Sequence, residues 1–425
     1  MNSSFDPHPL LPFDPTDLDR GRDPEGGAHG AFATLCAGGG TLLRDGEPLV
    51  APIVQSTSFA RDGLESTAQH RYSRESNPTV AALEAVLGRL ERAPDALAFA
   101  TGLAAETALL LAVAKAGDHV VCSRAVYGGT SRLLRQVLVE FGVSATFVDT
   151  TDAGAVARAL RPRTKLVLVE TPANPTLVLS DIRAIAAHVR RSDALLAVDN
   201  TFLTPVLQQP LELGAHVSIL STTKFVEGHS VALGGALVTR DEALRERLFF
   251  LRKCTGAIQS PFQAWLTLQG LRTLPVRIER QSAHARRIAR WLAGQAEVRV
   301  VHHPSLPTFP QSALAASQHL GEHGAVVSFE LDGGPERARR LLRAVKLCRV
   351  AEHVGSVETL LTHSASMTHA AVPREEREAV GITDALVRLS VGLEDPRDVI
   401  DDLDAAIQIS GGAPAHEEAK RCSAI

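Results

Sequence analysis

Leu195-Leu196-Ala197-Val198-Asp199-Asn200 reads as an apolar strand ending on a carboxylate, and downstream of it runs Ser221-Thr222-Thr223-Lys224-Phe225-Val226-Glu227-Gly228-His229-Ser230. The chain holds only six lysines against a large excess of arginine, so a lysine set among small hydroxyl residues and a glycine stands out. A Ser-x-Thr-Lys string alone is most often a solvated turn. Here three chemical needs coincide. The Lys224 amine can form a Schiff base with an aldehyde, the hydroxyls of Thr223 and Ser221 can meet a phosphate, and Asp199 can hold a pyridinium proton. These are the needs of pyridoxal 5'-phosphate.

Outward from this stretch, short apolar runs alternate with helical patterns. Strands are expected at Leu97–Ala100, His119–Ser123, Ala145–Asp149, Leu166–Glu170, Leu195–Asp199, Val217–Leu220 and Ala236–Thr239. Helices are expected at Leu103–Ala114, Thr130–Phe141, Ala153–Leu160 and Asp181–Arg190, the last with Ser180 as N-cap. The alternation predicts an α/β fold with a mostly parallel sheet covered on both faces, where ligands bind beyond the carboxyl ends of the strands. A helix over Arg277–Leu292 leads into a smaller α+β unit, with strands near Ala325–Leu331 and Leu386–Val391 and helices near Pro335–Val345 and Arg397–Ile407. The expected division is a leader and subunit-interface arm over 1–75, a cofactor domain over 76–275, a C-terminal domain over 276–410 and a polar tail over 411–425.

Composition narrows the function. With 425 residues the chain can bury more than one core, and a formal net charge of −4 gives no electrostatic footprint for nucleic acid or an anionic membrane. The apolar stretch Ala96–Ala114 is broken by Thr101-Gly102 and carries Glu106, so no transmembrane helix is expected. The Pro- and Asp-rich start lacks the features of a signal peptide. Five cysteines without a C-x-x-C pair point to a reducing, cytoplasmic setting. Three motif matches lead elsewhere and are set aside. His319-x-x-Glu322-His323 has the inverted zinc-protease spacing, but Gly321 weakens the helix it needs, so no metal is expected. Cys422-Ser423-Ala424-Ile425 lacks the aliphatic residue and basic run of a prenylation signal. Gly38-Gly39-Gly40 has no strand-to-helix frame.

Further matches occur in a fixed order: Pro52-Ile53, Ser56-Thr57-Ser58-Phe59, Tyr72-Ser73-Arg74, Asn77-Pro78-Thr79, Tyr127-Gly128-Gly129-Thr130, Glu170-Thr171-Pro172-Ala173-Asn174-Pro175, Asp199-Asn200-Thr201-Phe202, the lysine run, and Arg388-Leu389-Ser390-Val391-Gly392. From about Phe32 to Ile407 the chain resembles the Cys/Met metabolism family of pyridoxal-phosphate enzymes, which includes cystathionine γ-synthase, cystathionine γ-lyase, methionine γ-lyase and the O-acylhomoserine sulfhydrylases.

The resemblance implies a fold-type-I transferase fold and a role for each matched residue. Tyr127 stacks on the pyridine ring and helps proton transfer or departure of the leaving group. Gly102 and Leu103, where the family usually has methionine, offer main-chain N–H groups to the phosphate, together with Ser221 and Thr223. Tyr72 and Arg74 reach the phosphate of a neighbouring subunit, so a homo-oligomer, dimer or tetramer, shares its sites. Asn174 lies near the cofactor's phenolic oxygen, and Arg388 holds the substrate α-carboxylate. Lys224 then serves as base for γ-elimination or γ-replacement on a small amino acid through an unsaturated, vinylglycine-type species, with a thiol or carbon nucleophile in the replacement. Gly129 and Glu352 resemble the cystathionine γ enzymes, and Arg132 is kept. His353, Ser356, Arg71, Glu75 and Lys253 depart from the usual pattern, which leaves open another γ-activated substrate, O-acyl or halogenated. Glu352 and His353 are expected to point apart if they lie on a strand. A non-catalytic cofactor-binding regulator is the alternative of another class, and a metal hydrolase resting on His319 and His323 is the weakest.

Overall fold

A computed structural model describes residues 32–38, 45–370 and 372–411. The expected leader to residue 30, the tail beyond Gly411, the Cys422 motif and Gly39–Gly40 lie outside the described residues.

Seven strands form the larger sheet: β1 Leu97–Phe99, β2 His119–Ser123, β3 Ser144–Val148, β4 Thr164–Glu170, β5 Leu195–Asp199, β6 Val217–Leu220 and β7 Gly235–Thr239. Their order is β1-β7-β6-β5-β4-β2-β3, parallel from β6 through β3, with β7 antiparallel to both of its neighbours. Side chains alternate across a pleated strand. Leu166 and Leu168 of β4 therefore join one core with Val120, Ile219 and Leu109, while Val167 and Val169 join another with Leu196, Val198, Ile182 and Ile185. Helix Gly102–Val113 covers the first face and helix Ile182–Val189 the second. Burial on both faces is why these strands read as continuous apolar runs.

The second sheet has β8 Val298–His302, β9 Val326–Leu331, β10 Arg349–Val350, β11 Leu360–Thr362 and β12 Leu386–Ser390, in the order β10-β11-β12-β9-β8. Only the β10–β11 pair is parallel. Val327, Phe329 and Leu389 pack with Ile278, Ile288 and Leu292 of helix Leu274–Ala293, and with Leu341 and Leu403 of helices Gly334–Ala344 and Pro396–Gly411.

Two local expectations change. The helix expected over Thr130–Phe141 is a short α-helix Gly128–Arg132, a widened π turn Leu133–Val137 and a 3-10 turn Leu138–Phe141, stopped by Gly142 at φ +76°. An apolar pattern does not register one residue of widening. The cap of helix Ile182–Val189 is Asp181, whose Oδ1 accepts from Ala184 N–H, because the Ser180 hydroxyl is spent on Thr150. His319 and His323 sit where helix Ser312–Gln318 has already ended, with Gly321 at φ +89° between them. Among the described residues no group of three or more His, Cys, Asp or Glu could hold a metal, and no helix is long and apolar enough to cross a membrane.

One buried ion pair fastens the sheet edge to its cover. Arg252, fully buried on helix Glu242–Thr255, donates to Glu84 on helix Pro78–Leu90, to the carbonyl of Ala98 on β1 and to that of Glu75. Removing one member strands a buried charge. Arg252→Ala should therefore cost about 3–5 kcal/mol in denaturant unfolding; a loss under about 1 kcal/mol would show that Glu84 finds compensation elsewhere.

Candidate active site

The carboxyl ends of β4, β5 and β6 converge, as expected for a parallel sheet, and the matched residues gather there. Asp199 ends β5 opposite Glu170 at the end of β4. Thr201 links the two halves: its N–H donates to Asp199 Oδ1 at 2.9 Å, and its hydroxyl oxygen accepts from Ser221 N–H at 2.8 Å. Glu170 accepts from the backbone N–H groups of Tyr127 and Asn174, both at 2.7 Å, and so fixes the segments that carry them. Glu106, on helix Gly102–Val113, accepts from the Thr130 hydroxyl at 2.7 Å.

Glu106 and Glu170 are buried, and Asp199 is half-buried. Burial and the Asp199 charge push Glu106 up to about 8 and raise Glu170 well above the usual carboxylate range. Burial raises Asp199 too, against the lowering effect of its Thr201 hydrogen bonds. Like charges this close do not all ionise, and the two glutamates are driven toward their neutral forms. Sequence reasoning assigned Glu106 no role. Its signal was an acid inside an otherwise apolar helix.

Lys224 follows β6 in a tight turn. Arg277 donates to the carbonyls of Phe225 and Val226, and Gly355, at φ +91°, lies so close that a Cβ there would be 2.5 Å from Phe225 N. Burial, with the Arg388 charge nearby, pulls the Lys224 amine down to about 8. A lysine so shifted offers free amine near neutral pH, as a Schiff-base lysine needs. Its Nζ lies 3.4 Å from His353 Nδ1.

Arg388, on β12, is 2% exposed. Its Nη1 donates to Asn174 Oδ1 at 2.8 Å, and its Nη2 to the His353 carbonyl at 2.8 Å and to Thr362 Oγ1 at 2.9 Å. Its Nε is buried without a partner. A charged donor left unpaired at that depth fits a site completed by a carboxylate.

The residues present also fit a phosphate. Helix Gly102–Val113 begins beside Ser221, where a Cβ on Gly102 would sit 2.9 Å from Ser221 Cβ. Thr101 caps Ala104, which leaves the Gly102 and Leu103 N–H groups without protein acceptors among the described residues. Two free N–H groups at the start of a 12-residue helix, with the Ser221 hydroxyl beside them, suit an anion. The Thr223 hydroxyl, by contrast, is engaged with Gly234, donating to its carbonyl at 3.0 Å and accepting from its N–H at 2.9 Å.

Tyr127 is 38% exposed and caps helix Gly128–Arg132. A Cβ on Gly129 would lie 2.4 Å from Tyr127 Cε1, so that glycine makes room for the ring. Other expected residues lie apart. Arg132 and Glu352 are exposed. Residues 351–359 form an irregular loop between β10 and β11 rather than a strand, yet His353 still turns inward to Lys224 while Glu352 faces out. Arg74 donates to the Lys253 carbonyl at the end of helix Glu242–Thr255 at 2.7 Å and lies 5.3 Å from the Tyr72 ring. Two departures noted in the sequence pair with each other there, Lys253 Nζ with Glu75 Oε1 at 2.8 Å.

A family model described as Cys/Met metabolism PLP-dependent enzyme matches residues 35–408, and the chain belongs to that family. It is 44% identical to a cystathionine gamma-synthase of Mycobacterium bovis, over 84% of this chain and 91% of that one. It is 41% identical to the cystathionine beta-lyase MetC of Bacillus subtilis, over 84% and 93% of the two chains. A crystal structure of cystathionine gamma-lyase from Lactobacillus plantarum, complexed with L-serine, superposes with a TM-score of 0.84 at 36% identity, covering 89% of this chain and 98% of that one. The cofactor is pyridoxal phosphate.

The Gly102–Ser221 contact makes the phosphate cradle testable. Gly102→Ala places a methyl group into it and should weaken cofactor affinity by about tenfold or more, or ~1.4 kcal/mol, in titration of the apoprotein. Unchanged affinity would place the phosphate elsewhere.

Proposed function

We propose that this protein catalyses γ-replacement or γ-elimination on a homoserine-derived amino acid, as a cystathionine γ-synthase or γ-lyase type enzyme. The observation that carries the proposal is a lysine amine drawn down to about 8, near a buried guanidinium with one donor to spare, beyond a strand that ends in an aspartate. The names of the relatives support the reaction class.

Pyridoxal phosphate supplies an electron sink that acidifies the α- and then the β-protons of a bound amino acid. Asp199 holds the proton on the ring nitrogen that makes the sink effective. Arg388 binds the α-carboxylate and is itself aimed by Asn174 and Thr362. The free amine of Lys224 takes and returns the protons. Tyr127, fixed at its backbone by Glu170, offers its hydroxyl near the departing γ-substituent. Ser221, Gly102 and Leu103 hold the phosphate, and Thr223 joins them by exchanging Gly234 for a phosphate oxygen. Arg132, Glu352 and His353 border the substrate end.

A thiol or a carbon nucleophile completes replacement, and water completes elimination. A second reading, another γ-activated amino acid, draws on His353 and on the Lys253–Glu75 pair, which change the charges around the site.

The proposal extends to assembly and setting. Arg74, docked on the Lys253 carbonyl, and Tyr72 beneath it serve the site of a neighbouring subunit in a homotetramer built from such pairs. Of the arm expected over 1–75, the described residues 45–75 form the interface arm, with 76–275 the cofactor domain and 276–410 the C-terminal domain. The free thiols of Cys36, Cys122 and Cys348, all buried, agree with a reducing cytoplasm.

Borohydride should fix the cofactor to the peptide containing Lys224, and a panel of γ-substituted amino acids with and without cysteine, homocysteine and sulfide should release 2-oxo acid, a new thioether with either amino-acid thiol, or a new thiol with sulfide. Trapping on Lys253, or turnover confined to β-substituted substrates, would reject the reading. Asp199→Asn should bind cofactor and lose most turnover. For assembly, mixed Arg74→Ala and Lys224→Ala subunits should regain part of the activity; none after proven subunit exchange would confine Arg74 to its own chain.

A further inference from the structure

Lys224 Nζ has one hydrogen-bond partner among the described residues, the imidazole of His353 at 3.4 Å. The ring is delivered there by its backbone. Arg388 holds the His353 carbonyl, Gly355 N–H donates to Ser390 Oγ at 2.9 Å, and Gln281 donates to the Ser356 carbonyl at 2.7 Å. Gly355 itself packs against the Lys224–Phe225 peptide. The imidazole is therefore set beside the amine by a loop that does not depend on the imidazole's own bonds. Its other nitrogen, Nε2, is buried without a partner among the described residues.

We infer that His353 is a positioning residue for the released amine of Lys224, through a hydrogen bond that reverses direction when the amine changes charge. The inference rests on the reading of Lys224 as the reacting amine. An ammonium can only donate, so with Lys224 charged Nδ1 must accept and the ring proton sits on Nε2. That tautomer leaves a buried N–H without an acceptor, which is costly. Once the amine has lost its proton, its lone pair can accept from Nδ1–H, and the unpartnered Nε2 is then a bare lone pair. The ring carries one proton in both states.

The surroundings keep the ring neutral throughout. His353 faces Lys224 on the loop after β6, Arg388 on β12 and Glu358 on its own loop. Burial and the two cations hold it down to about 4, against the opposing effect of Glu358. His353 thus acts as a hydrogen-bonding partner of the amine and not as a competing cation, holding the amine lone pair in one orientation whenever the cofactor is not attached to it.

The first test uses the wild-type apoprotein labelled with 15N-histidine. The His353 ring should stay neutral while its proton moves from Nε2 to Nδ1 as pH rises through the midpoint at which an acylating reagent begins to label Lys224. In Lys224→Met the tautomer should not move. A single tautomer across that range, or a shift that persists in Lys224→Met, would overturn the inference.

The second test compares two side chains of equal shape. Asparagine can accept from an ammonium or donate to an amine, and leucine can do neither. At a pH above the labelling midpoint, apoprotein carrying His353→Leu should capture pyridoxal phosphate about tenfold faster than wild type, because the lone pair no longer has to leave one hydrogen bond before it attacks, while His353→Asn stays within about twofold. Borohydride after capture separates the two levels of the argument. Cofactor trapped on another lysine would sink the assignment of Lys224 and this inference with it. Cofactor trapped on Lys224 in all three proteins, with Leu and Asn equally fast or equally slow, would overturn the role of His353 alone.

Discussion

A guanidinium can be buried only if its N–H groups find acceptors, and Arg388 finds them on both sides of the molecule. Asn174 belongs to the segment that leaves β4 of the large sheet, while Thr362 and the His353 carbonyl belong to the small sheet and its loop. One charge therefore joins the two sheets at the point where substrate is expected. The same cation helps depress the Lys224 amine and the His353 imidazole. Without Arg388 the pocket would lose its carboxylate donor, its link between sheets and part of the field that frees the amine.

The opposite wall is acidic and works by unequal ionisation. Glu170 and Glu106 are driven toward their neutral forms by burial and by the charge on Asp199. Neutral glutamates can still fix backbone, and Glu170 does so for Tyr127 and Asn174 in opposite directions from one carboxyl group. Under the proposed function Asp199 would supply the anion at the ring nitrogen and Lys224 the base at the α-carbon.

Much of this was legible in the sequence because it rests on local patterns. The apolar runs of β2, β5 and β6 give their own boundaries, since strands buried on both faces carry no charged residue in their interiors. Lys224, Asp199 and Arg388 stand out by residue type against their neighbours. What escaped depends on distance in the chain. Nothing near residue 353 says that its imidazole meets Lys224, 129 positions away, and nothing near 75 says that Glu75 meets Lys253. The short strands β10 and β11 are too brief for a periodicity to register, so Glu352 and His353 could not be placed on a loop in advance. Thr223 was legible as a hydroxyl beside the lysine, but its hydrogen-bond partner, Gly234, is a main-chain contact that no side-chain pattern encodes.

The most direct measurement is a crystal structure of the cofactor-loaded protein with an unreactive substrate analogue. The account predicts continuous density between the cofactor and Lys224 before the analogue is added, the ring nitrogen within hydrogen-bonding distance of Asp199, the phosphate at Gly102, Leu103 and Ser221, and the analogue's carboxylate on Arg388. A ring nitrogen facing Glu170 or Glu106, or an analogue carboxylate held away from Arg388, would contradict it.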